Sequence, residues 1–550
     1  MLGKIITIGL VVVLITDFKN VLSMHWHWLD SHHVIGSQLW HPQSDLVRIG
    51  ASMGRDWTGF ELFYHLLTLI IPINNDTGMI WQYIVNYVFH FSSIAMSGII
   101  VKTVTFNYTF TFGTMLAIAL ASSGPEVFLT LVKNEVQGTF WILCACQLFI
   151  MDIARVVTQR YRRILIRVVM VLCGFLATGF LGKEPLVLFW VALIGTLIML
   201  HLMGFHLSGI DERGVLHSVS YGGAGVVLYW IYRVVIGVAN PLAGSYSSKF
   251  LQVPSLERTI HHLGVYIIYS QDIIIFTAMA ALLILFAIVR GATGALEILL
   301  KDFIAMSLGV FSILYCIFYI TMSGSVQFYY LYPVSFGAII GGFIFLTPRG
   351  QSTGLGGRFT HMVVLAAIAY AVMFGATRWF SRSASVVLVT SAVHTLVQNI
   401  AKLPHNSVVL LPFAKTDERL ASLPVLLRVI HGRPDLQFIG LSEINEFKNN
   451  KNSFNCNNIK VVSLIKAPSN FLVGTRDLTS WENSGLTGEI EKEVSPTISP
   501  RAESIGSRRT WVARFIVIPP LVDVRRNDIA WQADVELGWL LSQFHSNDYC

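Results

Sequence analysis

The chain has 550 residues, 54% of them hydrophobic and 13% charged, with a formal net charge of +7. That composition excludes an ordinary soluble domain and predicts a polytopic membrane protein. The basic excess is no nucleic-acid footprint, because Lys and Arg stand between hydrophobic segments, where they set orientation.

Each crossing of a bilayer takes about twenty apolar residues. At the N-terminus, Lys4 and the apolar run Ile5–Ile15 read as an uncleaved signal anchor whose helix continues through Phe18. With that first span at 4–18, further spans are predicted over 79–101, 107–123, 138–154, 164–182, 185–205, 217–238, 264–289, 302–322, 327–347 and 361–379, about eleven in all. The cysteines inside these spans, Cys144, Cys146, Cys173 and Cys316, read as packing residues. Cys456 and Cys550 lie in the tail.

The apolar stretch Phe60–Ile73 is assigned to an interfacial helix over 57–74. Left in the interface, it puts Lys4, Lys102, the cluster Arg155–Arg167, Arg213, Arg290, Lys301, Arg349 and Arg358 on one side. The N-terminus is then inside and the C-terminus outside. The loops 17–78, 124–137, 183–184, 239–263 and 323–326 face outward. The sequence shows no internal repeat to support an inverted-repeat transporter.

The first outward loop gathers the polar chemistry. Thr16–Trp57 holds Asp17, Asp30, Asp45 and Asp56, with His25, His27, His32, His33 and His41 among four tryptophans. Acids, imidazoles and aromatic faces at a membrane surface suit a sugar or phosphate site, and equally a solvated loop with an interfacial Trp belt. The second outward loop carries Glu126, Lys133 and Glu135, the last where a span begins. An acid at that depth is used or paired, here with Lys133 or an arginine in the purely structural reading. GKEP (182–185) places Lys183 at a helix end, and snorkelling to the interface is its structural alternative. The loop 239–263 offers Lys249, Arg258, His261 and His262, or is a juxtamembrane linker.

From about Ser383 the pattern changes to short β-rich runs bounded by Pro, Gly or Asn: 407–413, 436–441, 460–465, 470–475 and 513–520. Helical patterns at Ala392–Ala401 and Glu418–Ile430 fall between them. A small extracytoplasmic α/β domain over 381–550 is expected, with polar excursions at 449–458 and 485–509.

The order Asp17 after the first span, NEVQGTFW opening the fourth and GFLGKEP closing the fifth resembles the GT-C glycosyltransferases. Its relatives of interest are the lipid A aminoarabinose transferases and the protein O-mannosyltransferases. Residues 162–189 look like their basic turn and lysine-ended helix. FYYLYP (328–333) is similar to their late aromatic-proline helix opening, and 401–440 to their extracytoplasmic domain. Two departures stand out: the first loop lacks a paired Asp-Asp or Asp-Glu, and Gln327 stands where relatives often place an arginine.

The resemblance implies an α-helical polytopic membrane protein with a transmembrane domain over 1–380 and an extracytoplasmic domain over 381–550. It implies transfer of a sugar from a polyprenyl-phosphate-linked donor to a lipid or glycan acceptor, at the outer face of a bacterial inner membrane. Asp17 would be the base, and Glu135 would position acceptor or metal. Lys183, Lys249, Arg258, His261 and His262 would hold the carrier phosphate. Asp30, Asp45, Glu126, His25 and His27 would serve acceptor or a divalent cation, Mg or Mn, with no cofactor assigned for certain. Two other readings stay open: an O-antigen-type polymerase or ligase, and a transporter or channel built around Asp272.

Overall fold

The structure is a computed structural model. It describes residues 2–25, isolated positions within 63–71, and 76–405 except the segments 130–133, 155–158, 208–211, 236–254, 293–296, 322–327 and 348–354. Beyond 405 it describes the strands named below and a few neighbouring residues. Asp30, Asp45, Asp56, His27, Lys133, Lys249, Gln327, most of the expected interfacial helix and both polar excursions lie outside the described residues.

The helices follow in order: α1 (Leu2–Leu22), α2 (Asp76–Thr105), α3 (Tyr108–Ala119), the single turn α4 (Pro125–Phe128), α5 (Glu135–Ile153) and α6 (Arg160–Phe175). A π turn over Leu176–Phe180 and a 3-10 turn over Glu184–Val187 lead into α7 (Leu188–Leu202). Then come α8 (Glu212–Val235), α9 (Leu256–Tyr269), α10 (Gln271–Ala292) and α11 (Leu300–Thr321). A 3-10 turn over Phe328–Leu331 opens α12 (Tyr332–Leu346), and α13 (Leu355–Ala401) follows. Helices are the economical solution in lipid, because each satisfies its own backbone groups.

Among the described residues, six helices are long and apolar enough to cross a membrane: Gly3–Leu22, Met79–Thr105, Glu135–Ile153, Arg160–Phe180, Pro185–Leu202 and Leu300–Thr321. Tyr108–Ala119, Gln271–Leu282 and Tyr332–Leu346 are shorter apolar helices. Ile8, Val12, Ile15, Leu172, Ile198 and Leu202 are exposed, so the outward faces are apolar, as a lipid surface requires.

Three elements differ from the sequence reading. α1 continues past Phe18 to Leu22, so Asp17 stands inside a helix rather than at the start of a loop. Leu10, Val13, Asp17, Val21 and Met24 are all buried at helical spacing, so Asp17 occupies the packed stripe of α1. The single span expected over 264–289 is two helices meeting at the buried Ser270. The helix expected over 361–379 belongs to the 47-residue α13, which absorbs the separate helix expected at 392–401.

By residue contacts the chain divides into two units. The first comprises Met1–Leu22, Leu39–Ile70 and Gln82–Phe380, and the second Ser23–Gln38, Ile71–Trp81 and Ser381–Cys550.

In the first unit, the α2–α3 turn is set by Phe106 at φ 55 and by Asn107, whose Oδ1 accepts from Thr109 N and Phe110 N. The basic helix α6 is tied down by buried Asp152 of α5. Its carboxylate accepts from Arg167 Nε at 3.1 Å and Ser218 Oγ at 2.5 Å. Two short parallel strands, β1 (His206–Leu207) and β2 (Glu297–Ile298), join the loops after α7 and α10.

The second unit contains a four-stranded sheet: β3 (Val408–Leu411), β4 (Gln437–Gly440), β5 (Ile459–Lys466) and β6 (Phe471–Asp477), in the order β4-β3-β5-β6. β3 runs parallel to β4 and β5, and β5 antiparallel to β6. Arg433 closes the end of α13 by donating to the carbonyls of Ala401, Leu403 and Pro404, and it is paired with Asp435 at 2.8 Å.

Candidate functional site

Two buried carboxylates define the candidate site, each with its own partners. The first is Glu135, the opening residue of α5, where the helix dipole favours an acid. Lys183, in extended backbone just before its 3-10 turn, donates to Glu135 Oε1. The second carboxylate oxygen, Oε2, is buried with no hydrogen-bond partner among the described residues.

Backbone packing brings this pair together. Gly138, one turn into α5, faces Gly182, and a Cβ added to either would lie 2.8 Å from the other's Cα. Only glycine permits that approach. Asn134 Nδ2 completes the clasp by donating to the Gly182 carbonyl at 2.7 Å. The π turn over Leu176–Phe180 turns the chain here, with Gly182 N donating to the Leu176 carbonyl at 3.0 Å. Such turns recur at functional sites.

An aromatic platform covers the cation. The Lys183 ammonium lies 4.6 Å from the ring centroid of Tyr330, and Tyr330 stacks on Tyr319 at 4.1 Å and 17°. A face-on ring attracts an ammonium, more so where water is excluded.

The second carboxylate is Asp17, fully buried, whose Oδ1 accepts from Trp379 Nε1 of α13 at 2.9 Å. Its Oδ2 has no hydrogen-bond partner among the described residues. Tyr87 and Tyr332 lie within electrostatic reach of this acid. Tyr87 donates to the Leu14 carbonyl at 2.8 Å, which ties α2 to α1 beside it.

A polar stripe on α2 runs between the two places. Gln82, Asn86, His90, Ser93 and Ser97 are all fully buried at spacings of three and four. Asn86 Nδ2 donates to the carbonyls of Val127 (3.0 Å) and Phe128 (3.2 Å), while its Oδ1 accepts from Gln137 of α5 at 3.2 Å. His90 Nδ1 shares a hydrogen bond with the Tyr332 hydroxyl at 2.7 Å.

The structure thus joins Glu135 to Lys183 and gives Asp17 separate partners. Of the structural alternatives above, Lys133 lies outside the described residues, and the partner seen for Glu135 is Lys183. His262 is buried on α9, and its Nδ1–H donates to the Ile320 carbonyl at 3.1 Å. Arg258 and His261 lie on the same helix and Glu126 on α4, with side chains outside the described set. His25 belongs to the second unit, where its ring stacks on His394 at 4.1 Å.

Asp272, on which a transporter reading rests, accepts from Ser122 N at 2.8 Å and Ser122 Oγ at 2.7 Å. That accounts for its burial structurally. As for a divalent cation, no three His, Cys, Asp or Glu side chains gather as ligands among the described residues. Mg or Mn takes about six ligands, largely oxygens, and each buried place offers one carboxylate. The described residues alone do not fit such an ion.

Sequence reasoning missed Asn86, His90, Gln137 and Trp379. The polar residues of α2 carried a usable signal, since their spacing puts them on one helix face inside an apolar span. Trp379 carried none.

No protein-family model and no curated protein matches the chain. Among solved structures it is similar to ArnT from Cupriavidus metallidurans bound to undecaprenyl phosphate, at 11% identity and a TM-score of 0.50, over 86% of this chain and 98% of that one. It is also similar to an oligosaccharyltransferase from Archaeoglobus fulgidus in the apo form, at 11% identity and TM-score 0.42, over 83% and 69% of the two chains. The archaeal oligosaccharyltransferase AglB from Archaeoglobus fulgidus, in complex with an inhibitory peptide and a dolichol-phosphate, follows at 10% identity and TM-score 0.41, over 85% and 74%. The likeness to ArnT is one of fold: this chain shares its helical architecture.

Proposed function

We propose that the protein is a membrane glycosyltransferase that moves a sugar from a polyprenyl-phosphate-linked donor to a lipid or glycan acceptor. The observation that carries this reading is the buried Glu135–Lys183 pair under Tyr330, set in a fold shared with ArnT, which was solved with undecaprenyl phosphate. A buried cation between a carboxylate and a ring face is the kind of group that attracts a phosphate, and a water-poor site strengthens that attraction.

In this reading Lys183 holds the carrier phosphate, with Lys249, Arg258, His261 and His262 as further contacts. Asp17 takes the acceptor proton as the anomeric carbon is attacked, and Oδ2, which has no partner among the described residues, is the oxygen suited to that task. Glu135 orients Lys183 and the acceptor. Asp30, Asp45, Glu126, His25 and His27 are the remaining candidates for acceptor or metal contacts. The chain would cross a bacterial inner membrane about eleven times, with its N-terminus inside and an extracytoplasmic α/β domain over 381–550.

Purified protein in lipid nanodiscs, supplied with polyprenyl-phosphate sugars, tests the reaction. Release of polyprenyl phosphate with sugar appearing on an added acceptor is expected. Substrate movement across proteoliposomes without turnover would instead identify a transporter.

A further inference from the structure

We propose that His90 is a positioning residue for Lys183, acting through its hydrogen bond to Tyr332. The inference rests on the reading of Lys183 as the carrier-phosphate group.

His90 is held on its face and on its edge. Its ring stacks on Phe128 at 4.5 Å and 22°, while Nδ1 meets the Tyr332 hydroxyl at 2.7 Å. At this depth an apolar side chain would fill the space without a desolvation cost, so a buried imidazole calls for a polar task. Among the described residues Nε2 has no hydrogen-bond partner, and the Nδ1 contact is the polar interaction seen for His90.

Tyr332 stands two residues after Tyr330, at the junction of the 3-10 turn Phe328–Leu331 and α12. Ser335 Oγ donates to the Tyr332 carbonyl at 2.6 Å, which stiffens that junction. A displacement of Tyr332 therefore passes through one short turn to Tyr330, the ring that faces the Lys183 ammonium. One turn back along α2, Asn86 receives Gln137 from α5, two residues after Glu135. The Asn86–His90 stripe thus braces both partners of the Glu135–Lys183 pair, one through Gln137 and the other through Tyr332 and Tyr330.

The two imidazole nitrogens can be separated by substitution. An asparagine amide reaches the place of Nδ1, and a glutamine amide that of Nε2. The full-length protein is compared with H90N, H90Q and Y332F, reading the rate of Lys183 acylation by an amine reagent through mass spectrometry, and polyprenyl phosphate binding in nanodiscs. H90Q and Y332F should raise Lys183 acylation and weaken binding, each by about tenfold, the scale of one buried hydrogen bond. H90N should restore both. Y332F removes only a hydroxyl, so it keeps the test open should H90Q fail to fold. Retention of wild-type behaviour by H90Q with loss in H90N would overturn the proposal in favour of a contact at Nε2. Unchanged acylation in H90Q and Y332F would overturn it as well. If acylation responds as expected but the wild-type protein binds no polyprenyl phosphate, the positioning role stands and the carrier reading falls.

Discussion

Lys183 and Glu135, 48 residues apart in the chain, form a buried ion pair because Gly138 and Gly182 let their two segments touch. The pair occupies a place where an uncompensated charge is costly, so loss of either partner leaves the other to bear that cost.

Breaking the pair should therefore hurt folding as well as function. Glu135→Gln or Lys183→Met alone is expected to cost about 3–5 kcal/mol of stability. The double substitution should recover most of that loss, since no lone charge remains, while turnover stays abolished. Thermal unfolding in detergent beside a turnover assay measures both effects.

The glycine contact makes a separate prediction. Gly182→Ala would drive a Cβ into the Ala177 carbonyl and against Gly138. Because the obstacle is backbone, it cannot yield by a rotamer change, and a loss of about 1–3 kcal/mol is expected. Gly195→Ala, which meets nothing within 4 Å, is the control and should be nearly neutral. The midpoints of unfolding of the two variants decide it.

Asp17→Asn keeps an oxygen acceptor for the Trp379 N–H and should fold normally. If Asp17 is the base, turnover should fall by about 10²–10⁴-fold. Trp379→Phe should give a smaller loss, because the carboxylate survives without its orienting donor. Near-normal turnover in Asp17→Asn would remove Asp17 from the reaction.

Asp272 should behave as a structural residue. Asp272→Ala leaves the Ser122 N–H and hydroxyl without their acceptor, which costs about 1–3 kcal/mol per buried group. Polyprenyl phosphate affinity, measured at a temperature where the variant stays folded, should change less than twofold, about 0.4 kcal/mol.

The sequence by itself determined the class of the molecule and the order of its parts. A bilayer admits few architectures, so apolar length and the placement of Lys and Arg were enough to mark a polytopic helical protein. Local spacing also marked Glu135 and Lys183 as acids and bases at helix ends, because charges at that depth stand out in an apolar chain. It carried the first helix through Phe18, and so past Asp17, but could not see that α1 runs on to Leu22. The partner that meets Asp17 there is Trp379, 362 residues away. Nor did it break the predicted 264–289 span at Ser270, where Ser270, Gln271 and Asp272 interrupt the apolar run without a proline or glycine. The partners themselves, Lys183 for Glu135, Tyr332 for His90 and Trp379 for Asp17, were decided by tertiary structure alone. Each joins segments whose meeting depends on helix packing and on two facing glycines, and neither leaves a trace in local composition.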